Sequence, residues 1–446
     1  MSDPSIGANV PRISLLTATS IVVANMVGTG IFTSLGFQVG DLASGFVLTA
    51  LWLLGGICAM CGALSYAELG AALPRSGGEY HFLREIYHPS VGFLAGWVSG
   101  TVGFSAPVAI AAMPFGTYLA ALIPGSSPLL LGLAVVWVTT LVLLFDFRFG
   151  SAFQVAATLL KVALIVVIIA AGFSIAGTQS VNFLPAKGDG ALLTSAPFAV
   201  SLFWVMYAYS GWNASTYITS EIRNPARNIP LSVGLGTLLV TILYVGLNTV
   251  FLRSTPMPEM AGKQEVALIA GTHIFGAVGG KVTALFICLG LVSTVSAMMW
   301  IGPRVTVAMG EDIGMLSLLA RRTRRGIPVN AILTQFVIVN VMLLTATFQA
   351  VVSYVQFSLT LCSSLTVLGV FVLRWRQPNL PRPYRVPGYP VTPLIFLLVS
   401  AWMLWSLLVN PATRAPSLLG LATTLFGLVI YFLSPKVAPA EIPSTR

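Results

Sequence analysis

About twelve runs of this chain are apolar over the roughly 17–25 residues that a helix needs to cross a bilayer. They lie near 14–40, 45–72, 91–123, 127–145, 151–176, 195–220, 230–252, 266–302, 329–348, 351–373, 391–409 and 415–433. Hydrocarbon offers backbone N–H and C=O groups no partners, so such runs are confined to helices that bond themselves. Only 8% of the 446 residues are charged, against about 25% in a soluble domain, so lipid must solvate most of the surface. The expectation is an all-α integral membrane protein with a single transmembrane domain over 1–446. The longest polar stretches are merely loops, 74–90, 304–328 and 374–390. The third and eighth runs exceed one span and are expected to tilt or to carry extra turns outside the bilayer.

Basic residues orient these spans. With twelve crossings, Lys187, Arg253, Lys263, Lys281 and Arg414 fall on one side and Lys161 falls inside a span. The remaining 17 of the 23 Lys and Arg residues fall on the other side. The positive-inside rule then places both termini in the cytoplasm, in the plasma (cytoplasmic) membrane. The net charge of +10 is thereby explained by topology, without a nucleic-acid partner. Met1 to Val10 lack a basic n-region and the first apolar run is too long for an h-region, so no cleavable signal peptide is expected. Cys58, Cys61, Cys288 and Cys362 all lie within apolar runs and read as small apolar residues; no metal or cofactor is expected.

Two spans carry weak points. Residues 25–32 read Asn-Met-Val-Gly-Thr-Gly-Ile-Phe, and Gly28-Thr29-Gly30 weakens a helix at mid-depth, where breaking it is most costly. The sixth span carries Tyr207-Ala208-Tyr209-Ser210-Gly211-Trp212-Asn213. Irregular backbone at membrane depth is tolerated where it is buried in protein or lines a cavity. There, N–H groups at a half-helix N-terminus can meet a carboxylate, and unwound carbonyls can meet an ammonium group. The competing reading of the glycines and aromatics is close helix packing. Interrupted spans five apart suggest a five-plus-five inverted repeat over about 14–176 and 195–373, with two additional helices at 391–433.

Lys161 is the charged side chain nearest mid-span. An intramembrane lysine costs about 2.5–3.5 kcal/mol on insertion scales and calls for a named partner. Carbonyls of the broken first span and hydroxyls of the eighth, Ser293, Thr294 and Ser296, are the available acceptors. About ten residues separate Lys161 from the end of its span, too many for comfortable snorkelling.

The run Val27 to Phe32, the run Tyr207 to Asn213 followed by Glu221 through Pro230, and Pro303-Arg304-Val305 together resemble the amino acid–polyamine–organocation superfamily. Within it the chain is most similar to L-type amino acid transporters and bacterial serine/threonine exchangers, over essentially all twelve spans. The resemblance implies the LeuT fold, with broken helices 1 and 6 facing each other. It implies that a substrate carboxylate meets the amides of Gly28, Thr29 and Gly30. The α-amino group would meet carbonyls at Met26, Tyr207, Ala208 and Ser210, with Val27 in the same run and Asn213 as a further polar contact. Tyr207 falls where the family has a gating phenylalanine or tryptophan; its hydroxyl departs from that pattern. Lys161 matches a lysine that stands in the place of a sodium ion in sodium-coupled cousins, with Ser293 and Ser296 beside it. That implies sodium-independent transport. Eukaryotic members pair with a glycoprotein through a cysteine in the loop after helix 3. The loop at Pro124 to Pro128 has none, so no disulfide-linked heavy chain is expected.

The function expected is therefore transport of neutral L-amino acids by alternating access, with small ones such as alanine, serine and threonine favoured and exchange the expected mode. Proton-coupled symport stays open, because Lys161 could be a fixed charge or a titrating one. A cationic amino acid or polyamine antiporter would more plausibly show an acidic or strongly aromatic pocket, and a sensor would more plausibly carry a signalling domain or long tail. An enzyme is not expected: His81, His88 and His273 lie outside the span cores, and no carboxylate pair or Ser/His constellation lies at mid-membrane.

Overall fold

The computed structural model describes residues 13–145, 151–175, 177 and 179–434. Both termini, Arg12, Arg148, Lys436 and Arg446 lie outside the described residues, and with them part of the charge asymmetry read above. The first half contains α1 (Leu15–Met26), α2 (Gly30–Thr33), α3 (Gly45–Ala72), α4 (Gly78–Ile86), α5 (Pro89–Val98), α6 (Ser105–Leu122), α7 (Pro128–Phe145) and α8 (Ser151–Ser174). Then come α9 (Asp189–Leu193), α10 (Ala196–Tyr209), α11 (Pro225–Ser254), α12 (Met257–Met260) and α13 (Val266–Asp312). The chain closes with α14 (Ser317–Ala320), α15 (Val329–Thr345), α16 (Phe348–Arg376), α17 (Val391–Val409) and α18 (Pro411–Leu433).

Nine of the described helices are long and apolar enough to cross a membrane, or ten when α1 and the segment Gly30–Phe37, bent by 40° at the break, are counted as one span. The other two expected segments are α15, apolar but only 17 residues long, and α10, which ends after 14. The third run is one continuous passage, α5 and α6 joined through a π-helical turn at Ser99–Gly103. The eighth owes its excess length to a break at Gly276, whose φ of 76° no straight helix contains.

Hydroxyls inside these apolar helices bond back to their own helix. Thr49 donates to the Gly45 carbonyl, Ser65 to Cys61, and Thr139 to Val135. That satisfies each polar group without a partner from another helix. Ser44, Ser195 and Thr347 cap α3, α10 and α16 by accepting from the amide three residues on. Helices α3 and α11 pack against one another, and most of their apolar length is buried. In α18 only 28% is buried, and Phe426, Val429 and Phe432 point outward. The outward apolar surface is what a lipid-solvated rim requires.

Candidate functional site

Helix α1 stops at Met26, and Val27, with ψ of 84°, turns the chain out of helical geometry. The Gly28 amide folds back onto the Met26 carbonyl at 2.9 Å, and helix resumes at Gly30. Among the described residues, the amides of Thr29, Gly30 and Ile31 donate no hydrogen bond. These are the free donors that open a half-helix, here in a setting where Thr29 is only 4% exposed.

Helix α10 ends at Tyr209, Ser210 turns to ψ of 150°, and Gly211 takes φ of 98°. A side chain at Gly211 would be strained in that conformation and would also press on the Asn25 backbone at 2.9 Å. A Cβ at Gly30 would lie 2.7 Å from the Cα and Cβ of Ala208. The two interrupted spans therefore meet backbone to backbone at Gly30 and Ala208. Met26, Thr29, Tyr207 and Ala208 are all buried there. Of the expected residues, Met26, Gly28, Thr29, Gly30, Tyr207, Ala208 and Ser210 stand on the two facing breaks. Asn213, further along the second break, donates its side-chain amide to Glu79 Oε1 at 3.3 Å.

Lys161 is buried, and its Nζ donates to the Val27 carbonyl at 2.8 Å. Its aliphatic stem lies in a groove left open by Gly290 of α13, where a Cβ would sit 2.8 Å from Lys161 Cγ. Of the hydroxyls expected beside it, Ser296 donates to the Val292 and Ser293 carbonyls and Thr294 to the Gly290 carbonyl, bonds made along α13 itself. A second tether escaped the sequence reading. Tyr244 of α11 points its hydroxyl at the Met26 carbonyl, 2.6 Å away, and at the Ala208 carbonyl, 3.2 Å away, so one side chain bridges both breaks. An aromatic in an apolar run carries no local signal of such a role.

Contacts between separate elements lie at each end of the two breaks. At the end where the described chain begins, the entry end, the Ile13 amide donates to the Glu221 carbonyl and the Arg223 amide donates to Ile13. Ser76 and Ser220 meet through their hydroxyls at 2.6 Å. Nearby, Glu79 Oε1 accepts from Tyr66 Oη at 2.5 Å, from Ser363 Oγ at 3.1 Å and from Asn213. At the opposite end Phe37, Trp204 and Phe348 stack, with centroids 5.0 to 5.9 Å apart. A cavity of about 400 Å³ lies away from the breaks, lined by Arg304, Val307, Arg322, Gly326 and Pro328. Nearer the surface of the entry end, beside the last turn of α16, Glu68 accepts from the Arg374 guanidinium at 2.6 and 2.8 Å and from the Val386 amide at 2.7 Å. All four cysteines are buried and free.

Residues 13–437 match the family model described as amino acid permease. Over 433 residues the chain is 29% identical to the b(0,+)-type amino acid transporter 1 of Mus musculus, covering 95% of this chain and 87% of that one. It is 29% identical to the large neutral amino acids transporter small subunit 2 of Homo sapiens, over 95% of this chain and 80% of that protein. With the Asc-type amino acid transporter 1 of Mus musculus the identity is 28%, over 95% and 81%.

Proposed function

The chain belongs to the amino acid permease family, and we propose that it exchanges small neutral L-amino acids, without sodium, by alternating access around the two breaks. The observation that carries this reading is the row of free amides at Thr29, Gly30 and Ile31, buried and set against the end of α10. An α-carboxylate is the anion such a row receives, because its charge is met by N–H dipoles without a fixed cation. Carbonyls of Met26, Tyr207, Ala208 and Ser210 receive the α-amino group, which competes there with the Tyr244 hydroxyl. Lys161, tied to the Val27 carbonyl, supplies a fixed positive charge beside the break and takes the place of a coupling cation. Tyr207 covers the bound substrate.

A zwitterion is favoured over a cationic substrate because the carboxylates that come near are engaged elsewhere. Glu68 is held by Arg374, and Glu79 by Tyr66, Ser363 and Asn213. The twelve-span count, the inverted repeat and cytoplasmic termini belong to the same proposal; on it the entry end faces the cytoplasm. The relatives named above are themselves called amino acid transporters, one of them of large neutral amino acids, and this supports amino acids as the substrate class.

The test is uptake of labelled serine into proteoliposomes with and without internal serine, in sodium-free buffer, with an acid-outside gradient on half of each set. Obligatory exchange requires uptake only when serine is inside. Uptake into empty vesicles driven by the gradient would replace exchange with proton symport. A requirement for sodium would overturn the role given to Lys161.

A further inference from the structure

Glu79 is a buried carboxylate, and among the described residues no cation pairs with it. It stands on α4, in the connection between the second and third apolar runs. Its three hydrogen-bond donors come from three other parts of the molecule. Tyr66 belongs to α3 and Ser363 lies midway along α16, whereas Asn213 belongs to the segment just beyond the break in the sixth span. Two donors are therefore on continuous helices and one is on the broken one. The neighbouring titratable groups are Tyr66, Tyr217 of the segment Ala214–Glu221 and Cys362 of α16; His81, two residues on along α4, faces another direction. Arg75, Arg84 and Glu85 act on His81, and Glu68 is occupied by Arg374.

We propose that Glu79 is a proton-binding site coupled to the gate at the entry end: closing the gate buries the carboxyl and takes up a proton, and opening it releases that proton to solvent on the same side. The proposal rests on the alternating-access reading, since it needs Asn213 and the segment after it to move against α3 and α16. The balance is simple. In the closed state the carboxylic acid keeps its proton; on opening, water reaches it, the O–H bond breaks, and the proton passes to that water.

The direction follows from burial. Removal from water raises the Glu79 carboxyl above the ordinary carboxylate range, and the hydrogen bonds from Tyr66 and Ser363 offset only part of that rise. A state that holds a higher value binds more protons, so acid favours the closed gate and neutral pH favours opening. Exchange should slow as pH falls. Tyr66 contributes a bond that lowers the Glu79 value, so Tyr66→Phe should move the midpoint to higher pH. A group that merely braced the helices would show neither behaviour.

The experiment uses full-length protein in proteoliposomes at equal pH on both faces, which removes any dependence on insertion direction. Serine exchange is followed from about pH 8 to about pH 4.5, across the range of a raised carboxylate. The parent is expected to slow about tenfold, the size of one charge-assisted hydrogen bond. Glu79→Gln, which fixes the neutral form, should be slow throughout and vary less than about twofold. His81→Gln should keep the parent profile, and Tyr66→Phe should shift it to higher pH. A parental profile in Glu79→Gln, loss of the profile in His81→Gln, or an unmoved midpoint in Tyr66→Phe overturns the proposal.

A second arm needs no transported substrate. Ala214→Cys, partly buried beside Asn213, is labelled with a maleimide in the Glu79 and Glu79→Gln backgrounds, and the ratio of the two rates is taken at each pH. The ratio removes the part of the thiol's titration that the two backgrounds share. It should rise from near unity in acid to about tenfold at neutral pH; a flat ratio sinks the proton site. If the parent exchanges no serine or if Glu79→Gln is inactive, this arm decides. Absent exchange with a rising ratio would remove serine exchange and leave the proton site and the moving gate standing.

Discussion

At the far end of the two breaks three rings, Phe37, Trp204 and Phe348, close the structure by stacking. At the entry end closure is polar, with Glu79 gathering Tyr66, Ser363 and Asn213 and with Ile13 paired to the chain at Glu221 and Arg223. The stack gains its energy from buried area, which no proton changes. The carboxylate network depends on charge, so its strength varies with pH. A single pair of breaks thus meets solvent through one end indifferent to pH and one end sensitive to it.

The largest effect is expected from the apolar end. Trp204→Ala removes a ring that is 5% exposed and should cost about 3–5 kcal/mol, read as a fall in Tm in detergent. That fall should be the same at about pH 5 and about pH 8, because no titrating group enters the stack. A pH-dependent loss would break the contrast between the ends. Next comes the middle of the molecule. Lys161→Met keeps the stem against Gly290 but leaves the Val27 carbonyl without its donor, a loss of about 1–3 kcal/mol, and serine exchange should drop about tenfold with it. Exchange at the parental rate would show that the ammonium is dispensable.

The polar end should give smaller and pH-dependent changes. Ser363→Ala deletes one of three donors to Glu79 and should cost about 1 kcal/mol at neutral pH, with less effect in acid, where the carboxyl is neutral. An equal cost at both pH values would mean that Glu79 does not titrate. The smallest change sharpens the comparison most. A carboxyl whose folded-state value exceeds its unfolded one destabilises the fold once ionised. That cost is complete above the folded value and absent below the unfolded one. Glu79→Gln should therefore raise Tm at neutral pH and leave it unchanged in strong acid. A lower Tm at neutral pH would mean that hydrogen bonding to the anion outweighs its burial.

Much of the architecture was legible because bilayer length and apolarity are local properties. The apolar runs became helices, and the glycine triplet became the break between α1 and α2. The sixth span was legible as interrupted because Ser210-Gly211 interrupts an apolar run. What escaped depends on neighbours distant in sequence. Asn213 read as a substrate contact, but its partner is Glu79, a residue of a polar loop that becomes buried only when α4 docks against α16 and the segment after the break. Tyr244 and Gly290 each look ordinary alone. Their roles exist because α11 and α13 carry them to the two breaks. The unusual length of the eighth run was visible, yet the corner at Gly276 was not, since glycines are frequent throughout these helices.

The bridge made by Tyr244 has a consequence in the counting of protons. A phenol has one hydrogen to give, while two carbonyls, Met26 and Ala208, lie within its reach. One hydrogen cannot satisfy both carbonyls fully, so the two broken spans share a bond that must alternate or remain lopsided. An ammonium group arrives with three hydrogens. A ligand of that kind converts a shared debt into full occupancy, and the spans it joins need no longer compete.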